Sequence, residues 1–412
     1  MKNGFCARSG LGVALLVVLL AACDKDEAFT VQIPETDSLP TSAQVNGSVY
    51  QPALVDATDE RIAQLKVPSG FAIAKFADNL GKPRMLAISE SGSVYVSDRE
   101  AGTVTLLRDT NGDGRADQKQ VVANIKSVHG LTIHAGKLYM VSIKEVYSAT
   151  LNADGTLGAP QLLVNDLPDA GQHPNRTIAF GPDGLMYITV GSTCNACNEP
   201  NKEHATILRA NPDGKNRTVY AKGLRNTIGF GWHPQTNELY GFDHGIDWLG
   251  DEQQAEELNL IKPGADYGWP YIYEDGKYNP YPRPPGDTTY AQYAAKSTSP
   301  VLLYTAHSAP LGMVFYTGNA GAASGFPADY QNDALVTMRG SWNRRIPSGY
   351  KVVRVRFENG KPTRVEDFVT GFLIDANRAQ FGRPVGIAVH PDGSVLFSDD
   401  NNGVVYRVSY RK

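Results

Sequence analysis

The chain has 412 residues and a formal net charge of −4 at pH 7, so it carries no basic excess to meet a polyanion and no nucleic-acid partner is expected. Its 41 Gly, 25 Pro and 20 Tyr, without a long amphipathic helical pattern, point to an all-β chain rich in turns.

Lys2 and Arg8 precede an apolar run from Leu11 to Leu20, which ends in small residues at Ala21-Ala22-Cys23. The run is too short for a permanent membrane helix and reads as an export signal. Leu20-Ala21-Ala22-Cys23 resembles a bacterial lipoprotein signal, which implies a signal peptide over residues 1–23 with Cys23 lipidated; an ordinary cleaved signal is the other reading. Residues 24–60, rich in Asp, Thr, Ser, Pro and Gln, are then expected as a flexible tether, and 61–412 as the folded domain. The expected location is the bacterial cell envelope, with the protein lipid-anchored, facing the periplasm and otherwise free of the membrane.

Beyond the tether one pattern recurs: a polar or basic tip, a short apolar run, a turn and a second apolar run. The six tips are Pro83-Arg84-Met85, Val128-His129-Gly130, Asn175-Arg176-Thr177, Arg225-Asn226-Thr227, Ala309-Pro310-Leu311 and Arg383-Pro384-Val385. A period of about 45 to 60 residues is in the range of propeller blades. The expected fold is all-β, a six-bladed β-propeller with a central-channel active site, because a propeller brings the same edge of every blade to the axis. Blade one is expected to begin near Val67 and blade six to end at Val404 to Val408.

After the first blade comes Asp109-Thr110-Asn111-Gly112-Asp113-Gly114-Arg115-Ala116-Asp117. Oxygen side chains at Asp109, Asn111, Asp113 and Asp117, with Gly114 between them, match the opening of an EF-hand-type calcium loop, although Gln120 stands where the bidentate Glu belongs. A structural calcium ion and an ion-free Asx hairpin both fit this run. Cys194-Asn195-Ala196-Cys197 is followed by Asn198, which excludes c-type haem attachment. In an exported protein a disulfide between Cys194 and Cys197 is expected, with redox or metal use and free thiols as the other readings. Residues 265–300 break the rhythm with many Tyr, Pro and Gly residues. They are expected as a functional loop suited to stacking on a flat ligand or sugar ring, or else as a cover for a blade edge.

His173 stands directly before an inner strand, where a neutral imidazole can take a proton near neutral pH. Arg84, His129, Arg225, Asn226 and Arg383 are gathered at the same channel by the repeat, and Arg339 and Arg344 flank Gly340-Ser341-Trp342-Asn343. Arginines aimed into one channel repel one another unless they meet an anion with several carboxylates or phosphates, or each pairs with a nearby acid. Between them, Asp243-His244-Gly245-Ile246-Asp247 with Asp251-Glu252 is an acidic turn able to offer carbonyls and carboxylates to a hard cation such as calcium.

Four motifs occur in order: His173 seven residues before Phe180-Gly181-Pro182-Asp183-Gly184, then Gly223-Leu224-Arg225-Asn226, Glu257-Leu258-Asn259 and Asp266-Tyr267-Gly268-Trp269-Pro270. Together they resemble the PQQ-dependent sugar dehydrogenases, the group of soluble quinoprotein glucose dehydrogenase, L-sorbosone dehydrogenase and pyranose dehydrogenase. Gly340-Ser341-Trp342-Asn343-Arg344 and Gly382-Arg383-Pro384-Val385 are similar to the sorbosone and pyranose branch. The resemblance runs from about residue 65 to the C-terminus. It implies two cofactors, pyrroloquinoline quinone (PQQ), a tricarboxylate, and calcium. His173 is implied as general base and Arg225 as the group that polarises the quinone oxygen. Asn226 would help hold PQQ, and the main-chain carbonyls of Gly245 and Ile246 would ligate calcium. Arg383 would bind a PQQ carboxylate with Arg339 beside it, and Arg344, His129 and Arg84 complete the expected cofactor set.

Two departures bear on specificity: Gln172 stands where glucose-oxidising members have Asp, and Ile246 where they have Pro. No haem motif is present, so electrons are expected to pass to a separate cytochrome or membrane quinone. The function expected is oxidation of an aldose or aldehyde sugar, sorbosone- or glucose-like. The rival readings are a propeller that binds a sugar or protein without turnover, and a metal-dependent lactonase with ligands sought among Asp243, Asn226 and Asp399.

Overall fold

The computed structural model describes residues 47–411 with the exception of 170 and 281; the signal peptide, Cys23 and the first part of the tether lie outside them. The described chain is all-β, with three short helical turns at Asp59–Ile62, Tyr290–Ala294 and Ala328–Tyr330.

Each of the six repeats opens one four-stranded antiparallel sheet. Sheet one comprises Pro83–Ile88, Val94–Asp98, Thr103–Arg108 and Gln118–Asn124, and sheet two Gly130–His134, Lys137–Val141, Val146–Thr150 and Gln161–Val164. Sheet three comprises Ile178–Phe180, Met186–Val190, Thr206–Ala210 and Thr218–Lys222, and sheet four Phe230–Trp232, Leu239–Asp243, Glu256–Ile261 and Leu302–Tyr304. Sheet five comprises Pro310–Phe315, Ala334–Met338, Lys351–Glu358 and Lys361–Val369. Sheet six takes Pro384–Val389, Val395–Asp399 and Val404–Tyr410 from the C-terminal end and Phe71–Ala77 from the N-terminal end.

That last pairing corrects the expected start of blade one near Val67. Phe71 aligns with Tyr410 and Ile73 with Val408, so the N-terminal strand completes the sixth sheet and the first begins at Pro83. The strand Val404–Tyr410 would otherwise leave an open edge, and closing it with the other end of the chain ties the termini together. Strands more than 320 residues apart in the chain are thereby joined, a pairing that a local repeat does not reveal.

The sheets are held side by side by the alternation of side chains along their second strands. Tyr139 packs toward sheet three while Met140 packs toward sheet two's other neighbour, sheet one. Tyr187 and Ile188, Tyr240 and Leu239, Leu335 and Val336, and Phe397 and Leu396 divide in the same way, so a buried cluster lies between every pair of adjacent sheets.

At the centre the first strands approach at backbone distance. A Cβ at Gly312 would lie 2.4 Å from the Val385 oxygen, and one at Gly386 would lie 2.3 Å from the Arg84 oxygen, so only glycine fits. Hydroxyls on the second strands stitch the same layer. Ser97 Oγ accepts the Met85 N–H at 3.0 Å and donates to the His129 oxygen at 2.6 Å, and Ser398 Oγ accepts the Gly386 N–H at 2.9 Å and donates to the Arg84 oxygen at 2.5 Å. First-strand residues of all six sheets, among them Met85, Leu131, Ile178, Phe230, Leu311 and Ile387, line one central cavity of about 150 Å³.

Two expectations change. Of the tether, residues 47–60 are described and are docked: Tyr50 bridges to Asn343, Ala53–Leu54 pairs with Ala379–Gln380, and Asp59–Ile62 is a helix capped by Thr58. Backbone hydrogen bonds to 378–380 supply the ordering that polar composition hides. Residues 262–301 are an excursion between the last two strands of sheet four, and their aromatics pack on one another, Tyr278 on Tyr290 and Tyr271 on Tyr293. Tyr271 and Tyr290 are buried, which leaves them as a cover and not as a stacking platform.

Candidate active site

The start of each first strand and the end of each second strand lie at the same edge because the two run antiparallel. Residues flanking those points meet around the axis and wall a second cavity of about 420 Å³. Lys82, Arg84, Asn175, Asn226 and Arg383 come from the approach to the first strands, and Arg99, His244, Arg339 and Asp400 from the ends of the second strands. Thus Arg84, Asn226, Arg339 and Arg383, four of the residues expected to hold a cofactor, line one cavity.

Aspartates at the ends of second strands pin the tips. Asp98 accepts the Lys82 N–H at 2.9 Å, Asp243 accepts the Arg225 and Asn226 N–H groups at 2.8 and 2.9 Å, and Asp399 accepts the Arg383 N–H at 2.8 Å. Burial pushes Asp243 up to about 6 and Asp399 up to about 7, against the pull of those donors. Asp243 spends its oxygens on these N–H groups and on the Thr227 hydroxyl at 2.8 Å, whereas Asp399 Oδ2 is buried without a partner. Among the described residues, the group of acidic, thiol or imidazole ligand atoms close enough for one metal is Cys194, Cys197 and Glu199, and those cysteines are joined in a disulfide.

Charge is unbalanced in the cavity. Among the described residues that line it, the cations Lys82, Arg84, Arg99, Arg339 and Arg383 stand against the acids Glu100 and Asp400, a surplus of three positive charges. Lys82 pairs with Glu100 at 2.5 Å, while Asp400 is shared between Arg84 at 2.5 Å and Arg339 at 3.0 Å. Burial alone would raise the Asp400 carboxyl, but Arg84 and Arg339 outweigh it and hold it below the usual range. Arg383 has no carboxylate on its guanidinium among the described residues; it donates to the carbonyls of Arg339 at 3.1 Å and Gly340 at 2.5 Å. Burial, then Arg339 beside it, brings its pKa down to about 10.

Polar groups complete the wall. Asn226 donates Nδ2–H to His244 Nδ1 at 3.1 Å, and His244 donates Nε2–H to the Pro310 oxygen at 2.6 Å. That chain fixes the amide and leaves Asn226 Oδ1 buried without a partner, as is Asn175 Oδ1. His129 is 1% exposed and lies behind Arg84, accepting from Arg84 Nε at 3.3 Å and donating Nδ1–H to the Arg176 oxygen at 2.9 Å. It orients Arg84 and does not itself line the cavity.

His173 and Arg225 are not among the residues that wall the cavity but adjoin Asn226, which is: Arg225 precedes it in the chain, and a Cβ at Gly191 would meet both the His173 side chain and Asn226 Oδ1. His173 Nδ1–H donates to the Ser192 oxygen at 2.9 Å, which leaves the Nε2 lone pair available. Burial first, then Arg225, lowers the His173 pKa to about 3, so the imidazole is neutral at neutral pH. Arg225 is 2% exposed and is fixed by Asn195 and by Asp247 at 2.7 Å. Arg344 differs from expectation: its Nη2 donates to both oxygens of Glu252 at 2.7 and 2.8 Å and its Nη1 to the Asp251 oxygen at 2.5 Å, so it braces that loop, outside the cavity wall.

The turn at Gly245 and Ile246 is held through its N–H groups. Gly245 N–H donates to Glu256 Oε2 at 3.1 Å, Ile246 N–H to Gln254 Oε1 at 3.1 Å and Asp247 N–H to Asn195 Oδ1 at 2.9 Å. Because peptide units are trans, the carbonyls of Gly245 and Ile246 point away from Gln254 and Asn195. Burial pushes Glu256 up to about 8 and Glu257 up to about 7. In the 109–117 loop, Asp109 accepts the N–H groups of Gly112 and Gly114, Asn111 that of Asp113, Asp113 that of Arg115, and Asp117 that of Thr110. Those turns hold the loop, which is largely exposed and remote from the cavity wall.

Arg99 and Asp400 join the wall without having been expected in the site, and so do Lys82, Asn175 and His244, which flank expected tips or turns. The signal available was positional: residues following each second strand recur with the same period as the tips.

The site is an arginine-rich axial cavity with a neutral histidine near it, in an all-β chain whose family is given by comparison with known proteins. The TrAA12-like family model matches residues 65–411, and the chain belongs to that family. An uncharacterized protein of Borreliella burgdorferi is 31% identical over 376 residues, covering 86% of this chain and 93% of the relative. The pyrroloquinoline quinone-dependent pyranose dehydrogenase of Coprinopsis cinerea is 25% identical over 411 residues; 83% of this chain matches, spanning 54% of that protein. A calcium structure of a Trichoderma reesei carbohydrate-active enzyme of family AA12 superposes with a TM-score of 0.73 at 20% identity, covering 84% of this chain and 97% of that one.

Proposed function

We propose that this protein is a PQQ- and calcium-dependent sugar dehydrogenase, a six-bladed β-propeller whose central-channel mouth is the active site. The observation that carries the proposal is the surplus of three positive charges around a cavity of about 420 Å³, which matches the three carboxylates of PQQ. The donor set fits that group: Arg84, Arg339 and Arg383 are placed for carboxylates, and the unpartnered Asn226 Oδ1 for a polar edge. The Gly245 and Ile246 carbonyls, turned from their own loop, suit a hard cation.

Bound PQQ would supply the two-electron acceptor. His173, held by Ser192 with Nε2 free, would take the proton of the sugar hydroxyl, and its depressed pKa keeps it neutral for that task. Arg225, with its plane set by Asn195 and Asp247, would stabilise developing negative charge. The sugar would be an aldose or aldehyde sugar, the acceptor a cytochrome or membrane quinone, and the location the periplasmic face of a membrane through Cys23. The naming of the Coprinopsis relative and the calcium structure of the Trichoderma enzyme support this reading.

The test is to strip the full chain with a chelator, add PQQ with and without calcium, and follow dye reduction on a panel of aldoses and sorbosone. Activity that needs both additions and is lost in His173→Ala supports the proposal. Absence of PQQ binding at micromolar cofactor refutes it.

A further inference from the structure

Asn195 sits between the two cysteines of the short turn closed by the Cys194–Cys197 disulfide. Arg225 donates Nε–H to its main-chain oxygen at 3.0 Å and Nη2–H to its Oδ1 at 2.8 Å. Two acceptors on one residue set the plane of a guanidinium as well as its position. The same Oδ1 accepts the Asp247 N–H at 2.9 Å, tying in the loop that carries Ile246. One step upstream, Ser192 Oγ donates to the Cys194 oxygen at 2.8 Å, Ser192 N–H donates to the Arg225 oxygen at 2.8 Å, and the Ser192 oxygen holds His173 Nδ1. Cys194 and Ala196 pack on Ile246, Leu249, Trp269 and Tyr273.

These contacts converge on a connection between two strands of sheet three, residues 191–205. A loop of that length has many conformations unless it is tied down. We infer that the Cys194–Cys197 turn is a positioning device for the reaction, with Asn195 setting Arg225 and Ser192 setting His173. The inference rests on the functional reading above. Opening the S–S bond with a phosphine reductant, which gives up two electrons while water supplies the oxygen of the phosphine oxide and the two protons of the thiols, releases the turn that presents the Asn195 oxygens. Both sulfurs belong to partly exposed residues, within reach of such a reagent.

The experiment uses the full chain carrying Asn195→Ala, Asn195→Asp, Arg225→Met, the first and third combined, and Cys194→Ser with Cys197→Ser. Three quantities are measured: steady-state kinetics, PQQ affinity from tryptophan quenching, and the His173 imidazole titration by NMR in cofactor-free protein. Asn195→Ala is expected to lower kcat by about 10- to 100-fold, as a misplaced group does, and to change the sugar KM and PQQ affinity by less than about threefold. Arg225→Met added to it is expected to cause little further loss, since the two act as one unit. In Asn195→Ala, His173 is expected to titrate closer to the ordinary imidazole value as Arg225 leaves, a change that a merely structural turn would not produce. Asn195→Asp, which keeps both acceptors, is expected to restore most of kcat, and the serine pair to fall between. The inference is overturned if Asn195→Ala keeps kcat within about twofold of the parent, or if its effect and that of Arg225→Met multiply as independent losses. Failure of the parent to bind PQQ would sink the functional reading alone, because the His173 titration in cofactor-free protein still decides the positioning.

Discussion

Asp400→Asn removes the one carboxylate that Arg84 and Arg339 share, with almost no change of shape. Breaking a buried pair by deleting one partner costs about 3 to 5 kcal/mol. Side-chain exposure is 7% for Asp400 and 11% for Arg84 but 27% for Arg339, so solvent screens part of the second contact and the lower figure applies. Unfolding entropy of about 2.1 cal/mol/K per residue over about 360 residues gives about 0.8 kcal/mol/K, and about 3 kcal/mol then lowers the Tm by about 4 °C. The cofactor reverses the sign of the effect. With Asp400 gone the cavity has one more uncompensated charge, and a tricarboxylate recovers part of the loss. If about half returns on binding, PQQ affinity rises by about tenfold, because 1.4 kcal/mol is a decade. The assay is thermal unfolding with and without PQQ and calcium, paired with a fluorescence titration at two ionic strengths. An apo Tm within about 1 °C of the parent, together with PQQ affinity that is unchanged or weaker, would refute the charge argument.

Further outcomes follow from the same geometry. Gly386→Ala places a Cβ 2.3 Å from the Arg84 oxygen and is expected to destabilise by about 1 to 3 kcal/mol, whereas Gly158→Ala, whose nearest neighbour is at 3.7 Å, is expected to be neutral in the same denaturant titration. Arg383→Met is expected to weaken PQQ by about 10- to 100-fold through loss of a charged hydrogen bond, while Arg344→Met leaves PQQ affinity within about threefold; equal losses would put Arg344 in the site. His173 binds its proton more weakly folded, at about 3, than unfolded, so its neutral form contributes stability above about 6.5 that is lost as pH falls toward 3. His173→Asn is therefore expected to make the acid slope of unfolding free energy shallower by up to about 1.4 kcal/mol per pH unit in that window; parallel curves for parent and variant would contradict the assigned environment.

Some of this site was legible in the chain and some was not, for reasons visible in particular residues. Arg84, Asn226 and Arg383 were readable because each sits at a tip of the repeat, and the repeat repeats its geometry. Arg344 lies elsewhere because Glu252 and the Asp251 carbonyl are within its reach, and its Nη2 and Nη1 donate to them. Arg99 and Asp400 follow second strands outside any motif of the chain, and the antiparallel turn brings those ends beside the tips. The aromatics of 262–301 read as a ligand platform because composition carries no direction; in the fold they face one another.

By itself the sequence determined the number of units, their all-β character, the histidine and arginines of the tips and the short spacing of the Cys194–Cys197 pair. These are local properties, set by periodicity and turn chemistry within tens of residues. Tertiary structure alone decided that Phe71–Ala77 completes the last sheet, that Asp400 serves two arginines from different sheets, and that Asn195 reaches Arg225. Each of those joins residues separated by tens to hundreds of positions. Only closure of the sheets about one axis brings such residues within hydrogen-bond distance.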